Sequence, residues 1–235
     1  TAQDVTEQRQ AERLREDILS AVSHELRTPL TAVLGFAVTL EQRRNELSDH
    51  ELGRILAELV AAARRLERLL VDLLDVERLR RGAVEISRER VDVLELVERT
   101  VAACELNGRR VDISGGPVTA EIDGAKVERI VENLILNAVK HTPQEGSIHV
   151  RLDALGDDLM LAVEDEGPGI ANEHKEDVFE IFNRGAKVLS ATPGAGVGLA
   201  LVSRFAEAHG GRSWVEDRPG GGASFRVLLP GCVLA

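Results

Sequence analysis

The feature that most constrains this chain is a heptad seam with a proline in it. Apolar residues fall at Leu19, Val22, Leu26, Pro29, Val33, Phe36 and Leu40, in alternating steps of 3 and 4. That spacing keeps one face of a helix against another helix. A second run, Leu52, Leu56, Leu59, Ala63, Leu66, Leu70 and Leu73, steps by 4 and 3. Between the runs, Ser48-Asp49-His50-Glu51 has the form of a capping box opening the second helix. Arg80-Arg81-Gly82 closes it, with positive charge in the last turn and glycine just beyond. The pattern predicts an antiparallel helical hairpin whose arms hold roughly 35 to 40 residues, about 55 Å each. A single hairpin cannot bury that much leucine. Two hairpins pairing into a four-helix bundle can, so a homodimer is expected ahead of a hairpin packed onto the rest of its own chain.

Pro29 removes the N–H that would bond the carbonyl of Glu25, and its ring bends the helix, at a cost of roughly 3 kcal/mol. The loosened turn carries His24, Glu25 and Thr28. With Leu19 and Leu26 at heptad position a and Val22 and Pro29 at d, His24 takes f, the outermost place. Thr28 stands on the same face one turn on, and Glu25 lies at g on the flank. A helical His-Glu pair also opens the zinc-protease helix, but that motif needs a second His at i+4. This chain has Thr28 there.

The 235 residues suffice for one large or two modest domains, and at 43% hydrophobic they can bury a core. A formal charge of −11 argues against nucleic acid as the main partner. Cys104 and Cys232 show no metal or disulfide spacing, which fits a reducing compartment. No apolar run approaches the roughly 18 residues of a membrane span. The chain opens at Thr1 inside a charged helical pattern. It is therefore expected to be the cytoplasmic part of a longer protein, with any membrane anchor in a segment absent from this chain.

From about Arg88 the pattern changes to short strands alternating with helices. Strands are expected at 110–115, 117–122, 147–155 and 158–166, the last two meeting at Gly156-Asp157. A terminal hairpin is expected across Arg218-Pro219-Gly220-Gly221-Gly222, and helices at about 92–107, 124–141 and 197–209. A mixed sheet with helices on one face follows, an α/β sandwich. Helix 124–141 buries Val127, Ile130, Val131, Leu134 and Ala138, and sets Asn133, Asn137 and Lys140 in a stripe along the border. Amide oxygens beside a cation suit Mg²⁺ with phosphate oxygens, although a solvated helix face reads the same way. "DEGPGI", Asp165 to Ile170, follows a strand, with Gly167 and Gly169 allowing close approach and Asp165 able to accept from an exocyclic amine. "GAGVG", Gly194 to Gly198, leads into a helix, an arrangement that offers free N–H groups to anions. Its position excludes a Rossmann loop, and no GK[ST] follows as in a Walker A loop.

Taken in order, these pieces resemble a sensor histidine kinase core of a bacterial two-component system. "SHELRTPL" is similar to the phosphoacceptor box and "ENLILNAVKHT" to the N box. "DEGPGI" and "GAGVGLAL" are similar to the two glycine boxes, and "FEIF" to the F box. The resemblance implies a dimerisation and phosphotransfer domain over 1–82 and a GHKL-type (Bergerat) ATP-binding domain over 88–235. It implies ATP and Mg²⁺ as cofactors, a homodimer, and a response regulator as partner. His24 would be the phosphorylated nucleophile, Glu25 would orient it or take its proton, and Thr28 would position water for dephosphorylation of the regulator. Asn137 would hold Mg²⁺ with Asn133 nearby, and Lys140 and Arg184 would meet phosphates. His141 would stack on the nucleotide and Asp165 would recognise the adenine amine, in a pocket shaped by Gly167 and Gly169. Gly194, Gly196 and Gly198 would sit by the phosphates and hinge a lid over about 183–196, with Phe179 and Phe182 packing its base.

Overall fold

The computed structural model describes residues 23, 26–44, 46–80, 85–180 and 197–234. The chain forms two compact units, the first ending at Asp75 and the second beginning at Val76.

In the first unit, α1 is helical over 26–43, and the helix runs through Pro29 without a break. Pro29 is buried, and Leu26, Val33, Phe36 and Leu40 are partly covered, as the seam requires. The capping box forms as read. Glu51 Oε2 accepts from the Ser48 N–H at 2.9 Å and the Ser48 hydroxyl at 2.7 Å, while the Glu51 N–H donates to Ser48 Oγ at 3.3 Å. The hydroxyl bond, with the N–H bond beside it, holds the Glu51 carboxyl below its ordinary pKa. α2 then spans Asp49–Arg80, 32 residues, about 48 Å at the standard rise. Its covered face is not quite the expected one. Leu52, Ile55, Leu59, Ala62, Leu66, Leu69 and Leu73 are partly buried, whereas Leu56, Ala63 and Leu70 face water. Leu30, Leu34 and Val38 on α1 are exposed as well, at 46%, 58% and 44%. Each helix thus carries a second apolar stripe beside its seam.

In the second unit, β1 (Glu89–Asp92) pairs antiparallel with β3 (Thr119–Ile122) in a small two-stranded sheet. β1 escaped the sequence reading because its four residues show no alternation. The main sheet has the order β2-β4-β5-β7-β6, from Arg110–Gly115, Ser147–Leu155, Asp158–Asp165, Ala223–Leu229 and Arg212–Asp217. β2 and β4 are parallel and the remaining pairs antiparallel, the mixed sheet expected. Ile148, Val150, Leu152, Leu159, Leu161, Val163, Phe225 and Val227 alternate onto one buried face. α3 (Val93–Ala103), α4 (Gly124–His141) and α5 (Gly198–Ala208) cover it. Asp92 caps α3 through the N–H of Glu95 at 3.0 Å. The helix stops at Ala103, short of the expected 107, where Cys104 turns extended at φ −75° and ψ 144°; Asn107 and Gly108, at φ of 51° and 79°, then turn the chain toward β2. α4 ends at Thr142, whose N–H bonds the Ala138 carbonyl at 2.8 Å, and Pro143 forbids continuation.

A buried polar knot ties the start of this unit to its helices. Asp123 caps α4 through the N–H of Lys126 at 3.1 Å, and also accepts from the Ser87 N–H at 3.0 Å and the Lys126 ammonium. Burial alone would raise its pKa, but these donors outweigh that and hold it below the ordinary value. His209, 2% exposed, accepts the Asp123 N–H on Nε2 at 3.1 Å while Nδ1 lies 2.7 Å from the Phe205 carbonyl. That pairing requires the neutral Nδ1–H tautomer. Burial pushes the His209 pKa down.

Candidate nucleotide site

Asp165 ends the sheet's central strand on its helix-facing side, which is why a carboxylate is 2% exposed there. Its Oδ1 accepts from the Gly167 N–H at 2.8 Å and the Ala223 N–H at 3.4 Å. Oδ2 takes no hydrogen bond from a described residue. Burial pushes the pKa up, and the two N–H donors and the Arg218 charge pull it back. The arrangement leaves one buried oxygen committed to the backbone and the other able to accept from a ligand donor. Gly167 is required by the close fit: a Cβ there would meet Asp165 Oδ1 at 2.7 Å and the His141 carbonyl at 3.0 Å.

α4 brings its polar border to the same end of the sheet. Asn133 Nδ2 donates to the Arg129 carbonyl at 2.9 Å, so this amide is partly committed to its own helix. Its Oδ1 lies 2.8 Å from where Gly198 would carry a Cβ. Only a glycine lets the start of α5 come that near. Asn137 and Lys140 are half-buried, and Asn137 makes no hydrogen bond to a described residue. His141 is half-buried, and burial followed by the Lys140 charge pushes its pKa down, so a neutral ring is available for stacking. α5 begins at Gly198 with no side-chain cap from Val197, leaving its first N–H groups without intrahelical partners. Phe179 of the F box lies edge-on to Phe225 of β7, with ring centroids 6.2 Å apart.

The hairpin expected across residues 218–222 forms between β6 and β7, but its place against Asp165 was not foreseen. Gly222 sits where a Cβ would be 1.8 Å from the Asp165 carbonyl oxygen, and its own carbonyl would lie 3.2 Å from a Cβ on Gly169. Arg218 in that turn donates to Glu166 Oε1 at 3.0 Å. Asp165, Gly167, Gly169, Asn133, Asn137, Lys140, His141 and Gly198 all belong to the second unit. Thr28 is exposed on α1 of the first. His24, Glu25, Arg184, Phe182, Gly194 and Gly196 lie outside the described residues.

No group of three His, Cys, Asp or Glu that could hold a metal exists among the described residues. Asn137 fits Mg²⁺ in a different manner, since that ion keeps waters and needs few protein ligands when phosphates supply the rest. Among the described residues, no helix is long and apolar enough to cross a membrane.

Comparison with known proteins supplies the context. Residues 14–82 match the family "His Kinase A (phospho-acceptor) domain", and residues 122–231 match "Histidine kinase-, DNA gyrase B-, and HSP90-like ATPase". The sensor protein KdpD of Escherichia coli (strain K12) is 35% identical over 93% of this chain, and the alginate biosynthesis sensor protein KinB of Pseudomonas aeruginosa is 33% identical over 97%. Both are longer, and the chain spans 25% and 39% of them. The structure of full-length ShkA in complex with AMPPNP is 29% identical, with a TM-score of 0.65 over 94% of this chain and 46% of that one. Histidine kinase ThkA, solved in complex with response regulator protein TrrA, shares the fold. Its TM-score is 0.60 at 22% identity, over 96% of this chain and 65% of that one.

Proposed function

Because the chain belongs to the sensor histidine kinases, as a catalytic core joining a phospho-acceptor domain to an ATPase domain, we propose that it phosphorylates its own His24 from ATP and passes the phosphoryl group to an aspartate of a response regulator. Residues 1–82 are then the dimerisation and phosphotransfer domain and 88–235 the ATP-binding domain. The observation that carries this reading is Asp165, a buried carboxylate with Oδ1 held by two backbone N–H groups and Oδ2 open to an amine. An adenine N6 amine is a donor of the right kind.

Phosphoryl transfer asks for positioning and charge neutralisation more than for covalent chemistry by the protein. Asp165 fixes the base, His141 stacks on it, and Gly167 and Gly169 let the backbone come close. Lys140, Arg184 and the free N–H groups at the start of α5 bind the phosphate oxygens, with Gly194, Gly196 and Gly198 keeping that approach free of side chains. Asn133 supports this end of α4. Asn137 would hold Mg²⁺, which when bound neutralises charge on the triphosphate. A neutral imidazole nitrogen of His24 forms a bond to the γ-phosphorus as the bond to the β–γ bridging oxygen breaks, and ADP leaves with that electron pair. Glu25 takes the imidazole proton. In the reverse service, Thr28 orients water for hydrolysis of the phosphorylated regulator. The ThkA–TrrA complex supports the regulator as partner.

Homodimerisation is supported by the second apolar stripe, Leu30, Leu34 and Val38 on α1 with Leu56 and Leu70 on α2, since taking the exposed half of each side chain from water contributes about 1 kcal/mol. The test of the activity is labelled ATP with Mg²⁺, on the wild type beside His24→Gln. Acid-labile, alkali-stable label that vanishes in the variant is expected. Label that persists in His24→Gln, or none at all despite nucleotide binding, refutes the proposal.

A further inference from the structure

We infer that Arg218 is a positioning residue for Asp165: it fixes the β6–β7 turn beneath that carboxylate and places a positive charge beside the strand that ends in it. The inference rests on reading Asp165 as the acceptor for the adenine amine.

The turn has little shape of its own. Gly220, Gly221 and Gly222 adopt φ of 94°, 104° and 100°, and no side chain among them makes a contact that would hold it. Arg218 provides the missing ties, with its side chain only 18% exposed. Its N–H donates to the Gly222 carbonyl at 3.2 Å and its carbonyl accepts from the Gly221 N–H at 3.0 Å. The guanidinium donates to the Gly221 carbonyl at 3.3 Å and to Glu166 Oε1 at 3.0 Å, and Nε lies 3.9 Å from Glu164 Oε2. Glu166 is itself anchored, since Oε2 accepts the Ser147 N–H at 3.1 Å. A line of contacts therefore runs from the start of β4 through Glu166 and Arg218 to the turn, where Gly222 abuts the Asp165 backbone and the Ala223 N–H reaches Oδ1. A planar fork that meets two carboxylates and a carbonyl is work for which lysine is poorly shaped.

The charge argument points the same way. Asp165 is flanked by Glu164 and Glu166 on its own segment, with Lys140 and His141 ending α4 and Arg218 in the turn. The other sheet face, to which Glu164 points, carries His149 and Arg151 of β4, the latter 3.7 Å from Glu164, and Arg226 of β7, paired with Glu216 at 3.1 Å. Burial pushes the Asp165 pKa up, the Gly167 and Ala223 N–H donors pull it back, and the Arg218 charge adds to them. The same guanidinium meets the neighbouring carboxylates Glu164 and Glu166 and neutralises part of their charge. A protonated Asp165 accepts from an amine without the help of charge.

The test is calorimetric titration of the whole chain with ADP across pH, for wild type, Arg218→Gln, Arg218→Lys and Asp165→Asn, with circular dichroism confirming the fold. The phosphates of ADP titrate alike in every arm, so differences report the protein. Arg218→Gln should move the acid limb of binding to higher pH and weaken binding about tenfold inside that limb. Arg218→Lys should keep the limb near its wild-type position. Arg218→Gln binding as wild type at every pH overturns the inference, as does a loss equal at all pH, which marks a purely structural part. Should the Gln variant not fold, a limb displaced in Arg218→Lys despite its retained charge overturns it. Asp165→Asn should lose at least tenfold. If it binds as wild type, the reading of Asp165 itself falls. If it loses binding while Arg218→Gln does not, only the inference about Arg218 falls.

Discussion

Gly222 and Gly220 offer a matched pair in which backbone strain and steric conflict separate. Both have φ near 100°, at 100° and 94°, so alanine at either meets the left-handed penalty of about 1–2 kcal/mol. Stiffening of the unfolded chain returns about 0.4–1 kcal/mol of that. Gly220→Ala should therefore cost about 1 kcal/mol, because nothing lies within 4 Å of its added methyl. Gly222→Ala places the methyl 1.8 Å from the Asp165 carbonyl oxygen, against a floor near 3.0 Å for real Cβ contacts. The turn must retreat by more than an ångström, and the bonds from Ala223 N–H to Asp165 Oδ1 and from Arg218 N–H to the Gly222 carbonyl go with it. At about 0.5–1.5 kcal/mol each, with further strain in the hairpin, the total comes to about 3–4 kcal/mol. A unit of this size shifts by about 2–4 °C per kcal/mol. The thermal midpoint should thus fall by about 2–4 °C for Gly220→Ala and about 6–16 °C for Gly222→Ala, with ADP affinity lost in the second alone. Equal midpoints for the two variants would refute the account of a turn pressed against Asp165.

Asp165→Asn should be at least as stable as wild type at pH 7 in the absence of nucleotide. The folded pKa of Asp165 is raised, so its ionised form opposes folding at neutral pH. The advantage should fade as pH falls toward the ordinary 3.8, which denaturant titration at several pH values would show. His209 carries the opposite sign. Its folded pKa lies below 6.5, so the unfolded chain takes up the proton first and stability drops as pH falls through 6.5. His209→Gln, which keeps an acceptor for the Asp123 N–H, should flatten that slope. Leu56→Glu with Leu70→Glu should give a monomer in sedimentation, the helix content unchanged. Ser48→Ala should cost about 1 kcal/mol by loss of the capping box, read as a lower thermal midpoint of the hairpin.

Legibility followed the range of the forces involved. The capping box at Ser48 and the strands of the main sheet, save for a residue at the end of β5, stood where local pattern put them, because turn chemistry and alternation are written within a few residues. Within one chain α2 covers Ile55, Ala62 and Leu69, where the seam expected of a paired bundle names Leu56, Ala63 and Leu70. Leu52, Leu59, Leu66 and Leu73 belong to either seam, and the choice between Leu56 and Ile55, or Leu70 and Leu69, depends on what lies opposite. Asp165 and Gly167 were legible as a glycine loop after a strand, and the structure adds why Asp165 is buried. The contribution of Arg218 and Gly222 was not legible. It exists only because β7 lies beside β5, a pairing that brings together residues far apart in the chain.

The place of Asp165 also sets the entropy of association. It closes the central strand of five, paired with Ile148 of β4 on one side and reached by the Ala223 N–H of β7 on the other. Its backbone is immobilised when the protein folds, so the ordering cost, about 1–2 kcal/mol for a residue, falls on folding and not on the encounter with ligand. An acceptor of the same chemistry on a free loop would surrender that amount at every encounter, close to a tenfold loss in affinity.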